Sequence, residues 1–470
     1  MKTHILKYSL LVLLALCGFG SRIQAQDTLT FRSVEDLSYR YFLNQQWDSL
    51  VTIGKAGLHQ DIDYYYLRLR MGIACFNRGN YARAIQHLNR ADKFNSDDST
   101  TLEYLYYSYR SLNRSLYQNK VSKRFLKSTR DRVLKHFPLY TNSFYPNFGY
   151  QFDKAFNISD NQLIGRPTSN LYGEVDYPQS FMFFGLDYRH YFGGLALNFS
   201  YYHFDSRREK KVLLPLYINT RKYNVSEHHF YLNTEISVKN KLTIIPAVQY
   251  QYLKYSKFNA VWNPSDSIYT FPDSNFINNN IVASLGLYKD VGPFSLGLTV
   301  SYSRLYNKNF YQGALMFTWF PFGNMNLYTT TTVAWMQMQG LGLAGQGKGL
   351  GAIKADASNS GADKSHPVFE EAIGGKVWKK LWLEGQFAYN GLRGYNKANA
   401  SIVYNNPEQV NYSIGITGVY EVTKALDLTV GYQYSQKDLT GIHYTYPNNF
   451  VTDHYLNNSQ LIYGGIKWKL

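Results

Sequence analysis

From Gln409 to Lys437, apolar and polar positions alternate in two long runs. Val410, Tyr412, Ile414, Ile416 and Tyr420 interleave with Asn411, Ser413, Gly415 and Thr417. After Glu421-Val422-Thr423-Lys424, the residues Leu426, Leu428, Val430, Tyr432 and Tyr434 interleave with Asp427, Thr429, Gly431, Gln433 and Ser435. A period of two gives each set its own face of a sheet. Strands of a soluble sandwich alternate in the same way, but over about 5–6 residues. These runs reach twelve residues or more, and their apolar faces end in tyrosines. Strands that cross a bilayer have those properties: roughly 9–11 residues, apolar outside and polar inside, with aromatic girdles at both interfaces.

The pattern recurs from residue 144 to the end and predicts about fourteen strands, near 144–154, 180–192, 194–205, 226–238, 241–255, 277–289, 292–305, 309–320, 325–337, 367–378, 380–390, 409–421, 424–437 and 457–470. Tight turns at Tyr191 to Gly194, Lys239 to Lys241, Asp290-Val291, Pro321 to Asn324, Lys379 and Glu421 to Lys424 alternate with long stretches at 156–178, 206–224, 258–276, 338–366, 391–408 and 438–456. Short turns on one side and long loops on the other are the signature of outer-membrane barrels. The long stretches are therefore expected outside the cell, with only Leu305 to Lys308 short among them. An even strand count puts both ends of the barrel in the periplasm. By parity, Asp187, Arg189, Glu235, Glu384, Gln386, Asp427, Gln433 and Lys467 face inward, either as a polar lining for solute or as a hydrogen-bonded filling. Fourteen strands fall between barrels filled by side chains and barrels that leave a channel.

Residues 27–136 change period, and the spacing becomes helical. Leu67 to Ser96, with Met71, Gly72, Cys75, Gly79, Tyr81, Ala84, Leu88 and Ala91, resembles one tetratricopeptide repeat: small residues where paired helices touch, bulky ones in the pockets and a Gly-Asn-Tyr turn. Met71 stands where that family usually has leucine, and Ser96 where it has proline. Weaker units precede it (Tyr41, Trp47, Leu50) and follow it (Tyr106, Tyr109). The resemblance implies a concave surface for a protein or peptide rather than a catalytic cleft. A last helix, about Ser115 to His136, carries Lys120, Lys123, Arg124, Lys127 and Arg130 among its cations. It reads as a solvated face, or as a surface for anionic headgroups or an acidic partner.

The final Gly465-Ile466-Lys467-Trp468-Lys469-Leu470 resembles the C-terminal signal read by barrel-assembly machinery, with Gly465 followed by Trp468 third from last and Leu470 last. The chain as a whole resembles a Gram-negative outer-membrane β-barrel protein with an N-terminal periplasmic tetratricopeptide-repeat-like domain. That is an α+β chain: a helical domain at 27–136, then a transmembrane antiparallel β-barrel at 144–470. Repeat-plus-barrel order is also similar to that of bacterial exopolysaccharide exporters, an analogy of architecture alone.

Composition sharpens this picture. Charged residues are 17% of the 470 and aromatics also 17%, with 44 tyrosines, against a usual charged share of about 25%. Lys2 and Lys7, the apolar run Leu10 to Leu16 and Ile23-Gln24-Ala25 read as a signal peptide, 1–25, cleaved before Gln26. Cys17 follows Leu16, where a lipobox wants a small residue, so lipidation is not expected. Cleavage leaves Cys75 as the single cysteine, hence no internal disulfide. The formal charge of +16 falls to +13 with loss of Lys2, Lys7 and Arg22. An exported chain does not ordinarily meet nucleic acid. The expected partners are outer-membrane lipids, the barrel-assembly machinery and a periplasmic protein or peptide.

Other motifs carry little chemistry. Gly342 to Lys348 spells a phosphate-loop pattern, but Gly349 stands where Ser or Thr must hold Mg²⁺; the surrounding low-complexity stretch reads as an external loop or a segment folded into the lumen. His228 and His229 point to opposite faces, and His443 and His454 are scattered, so no metal site is expected. His203, Ser206 and Glu209 match no hydrolase motif. The chain is expected to be non-enzymatic, with no cofactor: a pore or export channel with a docking domain, or else a scaffold protein anchored by its barrel.

Overall fold

A computed structural model describes residues 29–153, 173–214, 217–238, 242–263, 265, 268–306, 308–340, 364–405, 407–445 and 449–470. The signal segment and the phosphate-loop pattern lie outside the described residues.

Seven helices come first among these: α1 Phe31–Leu43, α2 Trp47–His59, α3 Tyr65–Asn77, α4 Tyr81–Phe94, α5 Ser99–Ser111, α6 Ser115–Ser122 and α7 Lys127–His136. Their starts are written in side chains. Thr30 and Ser33 form a reciprocal capping box on α1, and the Asn80 and Asp98 side chains accept from the amides of Arg83 and Thr101 to start α4 and α5. Successive helices pack side by side around Val34, Leu50, Leu67, Met71, Cys75, Ala84, Leu88, Leu102 and Tyr106. At the α3–α4 crossing a Cβ on Gly72 would lie 2.6 Å from the Leu88 side chain, so only glycine allows that approach. Gly79 turns the chain between these helices at a φ of +71°, which a side chain would disfavour; Ala91 is buried and Tyr81 packs on the same core.

The basic segment is two helices, not the single one expected. Lys123 to Leu126 break it, Phe125 turns inward against the Tyr106 ring at 5.5 Å, and α7 restarts with Val133 buried. Burying an aromatic there outweighs continuity in a stretch otherwise rich in solvated side chains.

Fourteen antiparallel strands close into a barrel: β1 Asn142–Asp153, β2 Gly173–Tyr191, β3 Leu195–Leu214, β4 Tyr217–Ser237, β5 Leu242–Phe258, β6 Asp273–Val291, β7 Phe294–Leu305, β8 Lys308–Trp319, β9 Tyr328–Gly340, β10 Lys364–Lys376, β11 Leu381–Tyr389, β12 Gln409–Thr423, β13 Leu426–Thr445 and β14 Asn449–Lys469. Each pairs with its sequence neighbours, and β14 closes on β1 in a register that opposes Phe144 to Trp468 and Tyr150 to Ile462. The outward face is apolar and flanked by rings. On β8, Tyr311 and Trp319 are exposed with Leu315 and Phe317 between them. Those rings stand about 26 Å apart along the strand at ~3.3 Å per residue, matching an apolar band of about 25 Å.

Several strands outrun the expectation. The stretches 206–224 and 438–456 were expected as loops. Their described residues instead extend β3 and β4, and β13 and β14, as paired strands that reach 20 and 21 residues. Arg207, Arg208, Glu209, Lys210 and Lys211 break the apolar alternation, yet backbone pairing runs through them, because ladder hydrogen bonds ignore side-chain polarity. The stretch 258–276 likewise shortens to a small hairpin, Val261–Asn263 with Ile268–Thr270.

The helical domain sits on the short-turn end. The Ala82 amide donates to the Gly323 carbonyl at 2.9 Å, Asn324 Nδ2 donates to the Gly79 carbonyl at 3.0 Å, and Met325 packs on the helical core. Arg114 pairs with Asp290 at 2.7 Å, and the Tyr117 and Thr243 hydroxyls share a hydrogen bond of 2.9 Å. Lys123 lies against Gly193 of the β2–β3 turn, and Lys120 beside Gly194.

Within the helical domain, burial and the neighbouring Arg68 charge push the His87 imidazole down to about 4, and Arg68 Nη1 lies 3.1 Å from His87 Nδ1. Between about pH 4 and 6.5 the unfolded chain thus binds the extra proton, so stability falls as pH drops through that window, by up to about 3 kcal/mol. Hydrogen-exchange protection factors of residues 65–94 should decline from pH 7 to pH 4.5, and His87→Gln should flatten that decline. An unchanged slope in the variant would assign the decline to other groups.

Candidate functional site

The lumen contains a segment expected outside. Residues 391–408, between β11 and β12, turn back through the barrel as a compact hairpin, Asn396–Lys397 paired with Ile402–Val403. A β-bulge sets the turn-in. Register slips between Val410 and Tyr412, so Val410, placed by alternation on the lipid face, is buried inside, 3% exposed. The freed carbonyls then receive the hairpin: the Asn390 amide donates to Asn411 and the Leu392 amide to Val410, both at 2.9 Å.

The hairpin leans on one wall. Leu392, Tyr395 and Ala400 pack against Val282, Phe310, Ala314, Met336, Val368 and Ala388 from β6 to β11. Asn396 exchanges two hydrogen bonds with Gln312, its amide donating to Oε1 at 2.9 Å and its carbonyl accepting from Nε2 at 2.8 Å. Its own Nδ2 donates to Ser301 at 3.1 Å and Ser303 at 3.3 Å. Tyr395 donates to Glu370 at 3.0 Å, and Lys397 pairs with that carboxylate at 3.3 Å and donates to Gln386 at 3.2 Å. The tip bends through Ala398, Asn399 and Ala400, all at positive φ, a strained run held by its partners. There Asn399 accepts from the Tyr288 hydroxyl at 2.9 Å on its side chain and from Tyr231 at 3.1 Å on its carbonyl. Gly286 makes room for it: a Cβ would stand 2.3 Å from Asn399 Oδ1. On the opposite side Glu408 pairs with Arg208, which also holds Asp176 at 3.0 Å.

Because the hairpin leans on β6 to β11, a cavity of about 920 Å³ remains along β1 to β5 and β11 to β14. Asp187, Gln386 and Gln433 line it; Asp187 accepts from Asn147 at 2.9 Å and Tyr202 at 2.8 Å. Nearer the helical domain, Arg189 pairs with Glu235 and Asp427 with Lys469 at 2.7 Å, while Glu384 accepts from Tyr328 and Gln386. Arg189, Glu235, Glu384, Asp427, Lys469 and Lys467 lie outside the cavity lining and form a separate polar layer toward the short turns. The hairpin was missed because its signal is faint: Leu392 and Tyr395, apolar residues between two glycines and a polar run, inside what reads as a loop.

The other expected clusters are divided. Arg124 is paired with Asp92 at 2.7 Å and Asp97 at 2.8 Å, and Arg130 donates to the carbonyls of Ser122 and Lys123 at 3.4 Å. Both serve the helical domain, Lys120 and Lys123 adjoin a barrel turn, and Lys127 is exposed. Gly465 is pressed against Pro146 and Tyr145, whereas Trp468 and Leu470 are exposed on the outer wall. His203 is turned from the lumen toward His228, with ring centres 4.8 Å apart, while Ser206 lines the cavity, so the two cannot act together.

No protein-family model matches the chain, and no curated protein matches it. Solved structures do match. A FadL homologue of Pseudomonas aeruginosa aligns at a TM-score of 0.40 and 8% identity, over 70% of this chain and 90% of that one. The toluene transporter TodX of Pseudomonas putida aligns at 0.38 and 10%, over 70% and 89%. The toluene transporter TbuX of Ralstonia pickettii aligns at 0.32 and 12%, over 70% and 90%. The chain is similar to these in being a β-barrel; its fourteen-stranded closure is read from its own strand pairing.

Proposed function

We propose that this chain is a non-enzymatic outer-membrane pore or export channel whose lumen is narrowed by its own hairpin, with the helical domain on the periplasmic side. The observation that carries the reading is the placement of the hairpin, which packs on one wall and leaves a cavity of about 920 Å³ on the other. A barrel serving only as an anchor needs no such space. The helical domain, on this reading a tetratricopeptide-repeat-like module, meets the barrel through its turns and offers its remaining surface to a periplasmic protein or peptide. Gly465, Trp468 and Leu470, on the strand that closes the barrel, are the proposed handle for the assembly machinery.

A second reading, the anchored scaffold, is favoured by the polar layer of Arg189, Glu235, Asp427 and Lys469 between the cavity and the docked helices. Planar-bilayer recording separates the two. The purified full chain should pass small, discrete currents, and replacing residues 391–408 with a short Gly-Ser link should enlarge them several-fold. Silence from both proteins would leave the anchor.

The hairpin can also be displaced without touching strand pairing. Gly286→Val puts a branched side chain where Asn399 sits, and the strain of overpacking, typically 1–3 kcal/mol, falls on the hairpin tip. The variant should keep a heat-resistant barrel on gels, conduct more than wild type and become cleavable by trypsin at Arg393 and Lys397. Unchanged current and protease resistance would mean that the hairpin does not limit passage.

A further inference from the structure

Arg393 stands at the turn Gly391-Leu392-Arg393-Gly394, and its surroundings set it apart from the other described cations that line the cavity, Arg208, His229, Lys257, Lys397 and Lys437, each of which is paired. The two glycines take φ of 75° and 76°, which lets the turn pin Leu392, 0% exposed, into the wall while Arg393 lines the cavity. The Gly394 amide donates to the Tyr404 carbonyl at 2.7 Å and the Tyr395 amide to the Leu392 carbonyl at 2.9 Å, so the turn is fixed from both sides. Among the described residues no hydrogen bond or ion pair engages the Arg393 guanidinium.

The carboxylates that share the cavity are already taken. Glu408 is held by Arg208; Asp176 by Arg208 and Lys257; Glu227 by His229 at 3.0 Å and Asn405 at 2.9 Å; Asp187 by Asn147 and Tyr202. Glu408 is near enough to act on Arg393 through space, but its carboxylate is bound to Arg208; a guanidinium in a partly desolvated lumen without a hydrogen-bonded partner of its own is costly unless an anion joins it.

Another part of the same lining is not what a water-filled passage needs. Phe181, Phe183 and Phe204 face the cavity from β2 and β3, with Phe183 and Phe204 ring centres 5.6 Å apart. Alternation puts polar residues at inward positions, so adjacent inward phenylalanines form an apolar surface.

We infer that the cavity is a binding site for an amphipathic carboxylic acid, its apolar body against Phe181, Phe183 and Phe204 and its carboxylate on Arg393. Among the described lining residues Arg393 has the one unpartnered guanidinium; it carries one charge, and its planar fork fits a carboxylate with two parallel hydrogen bonds. The cavity, about 920 Å³, accommodates a ligand of ordinary small-molecule size. The site rests on the reading of the lumen as a solute path.

The test is calorimetric titration of the full chain in nanodiscs, corrected against empty nanodiscs, with phenylbutyrate and its neutral counterpart phenylbutanol. Wild type should bind the acid about tenfold more tightly than the alcohol, the discrimination expected of one charge-assisted hydrogen-bonded contact. Arg393→Gln should lower acid binding to the level of the alcohol and leave the alcohol unchanged; Arg393→Lys should keep part of the preference. A wild-type protein that does not distinguish acid from alcohol overturns the site, whatever the variants do. So does an Arg393→Gln protein that keeps the full preference. Acid-selective binding by a barrel that passes no current would support the site and overturn only the channel reading. A conducting barrel without acid preference would do the reverse.

Discussion

On the proposed reading the outer wall faces lipid, which offers no hydrogen-bond partner, so every backbone amide and carbonyl along that wall must be satisfied within the sheet. Closure of β14 on β1 meets that demand, and most of the remaining architecture follows from it. A closed sheet has two rims and an inside. One rim is made of short turns, and there the helices dock through backbone contacts to Gly79, Ala82 and Gly323 and the Arg114–Asp290 pair. The inside must be filled by something that satisfies the inward polar side chains, and here a segment of the same chain does much of that.

The hairpin works as lumen filling because its polar atoms answer the wall's one by one. Asn396 meets Gln312, Ser301 and Ser303, and Asn399 meets Tyr288 and Tyr231. Its apolar residues, Leu392 and Tyr395, go where β6 to β11 present Val282, Met336 and Ala388. The other half of the wall presents charges neutralised in place and the phenylalanines of β2 and β3, and there the space stays open. The asymmetry of the cavity is therefore an asymmetry of side-chain chemistry between two halves of one barrel.

Much of the fold was legible because a period of two and a ring of aromatics survive in a single sequence. The fourteen strands and the alternation of Leu428 and Val430 with Thr429 and Gly431 come straight from it. Legibility failed where backbone and side-chain rules part. At Val410 a bulge inverts the faces, and nothing in the residue types announces it. Along Arg207 to Lys211 the strand outlives its apolar pattern, since Arg208 and Lys210 are paired with Asp176, Glu408 and Glu174, carboxylates distant in sequence. The basic run after Ser115 hid a break, because the one residue that matters, Phe125, stands among cations. Arg393 could not be singled out at all: its meaning lies in which carboxylates are already engaged, and pairing across 32 to 200 residues is invisible to local reading.

The hairpin's contacts carry a consequence for biogenesis. Asn396 reaches back 84 residues to Gln312, Asn399 reaches 168 to Tyr231, and Arg208 meets Glu408 across 200. Contacts of such separation form late and slowly. They tie the segment between the eleventh and twelfth strands to walls synthesised long before it, so the hairpin can take its seat only once both walls stand.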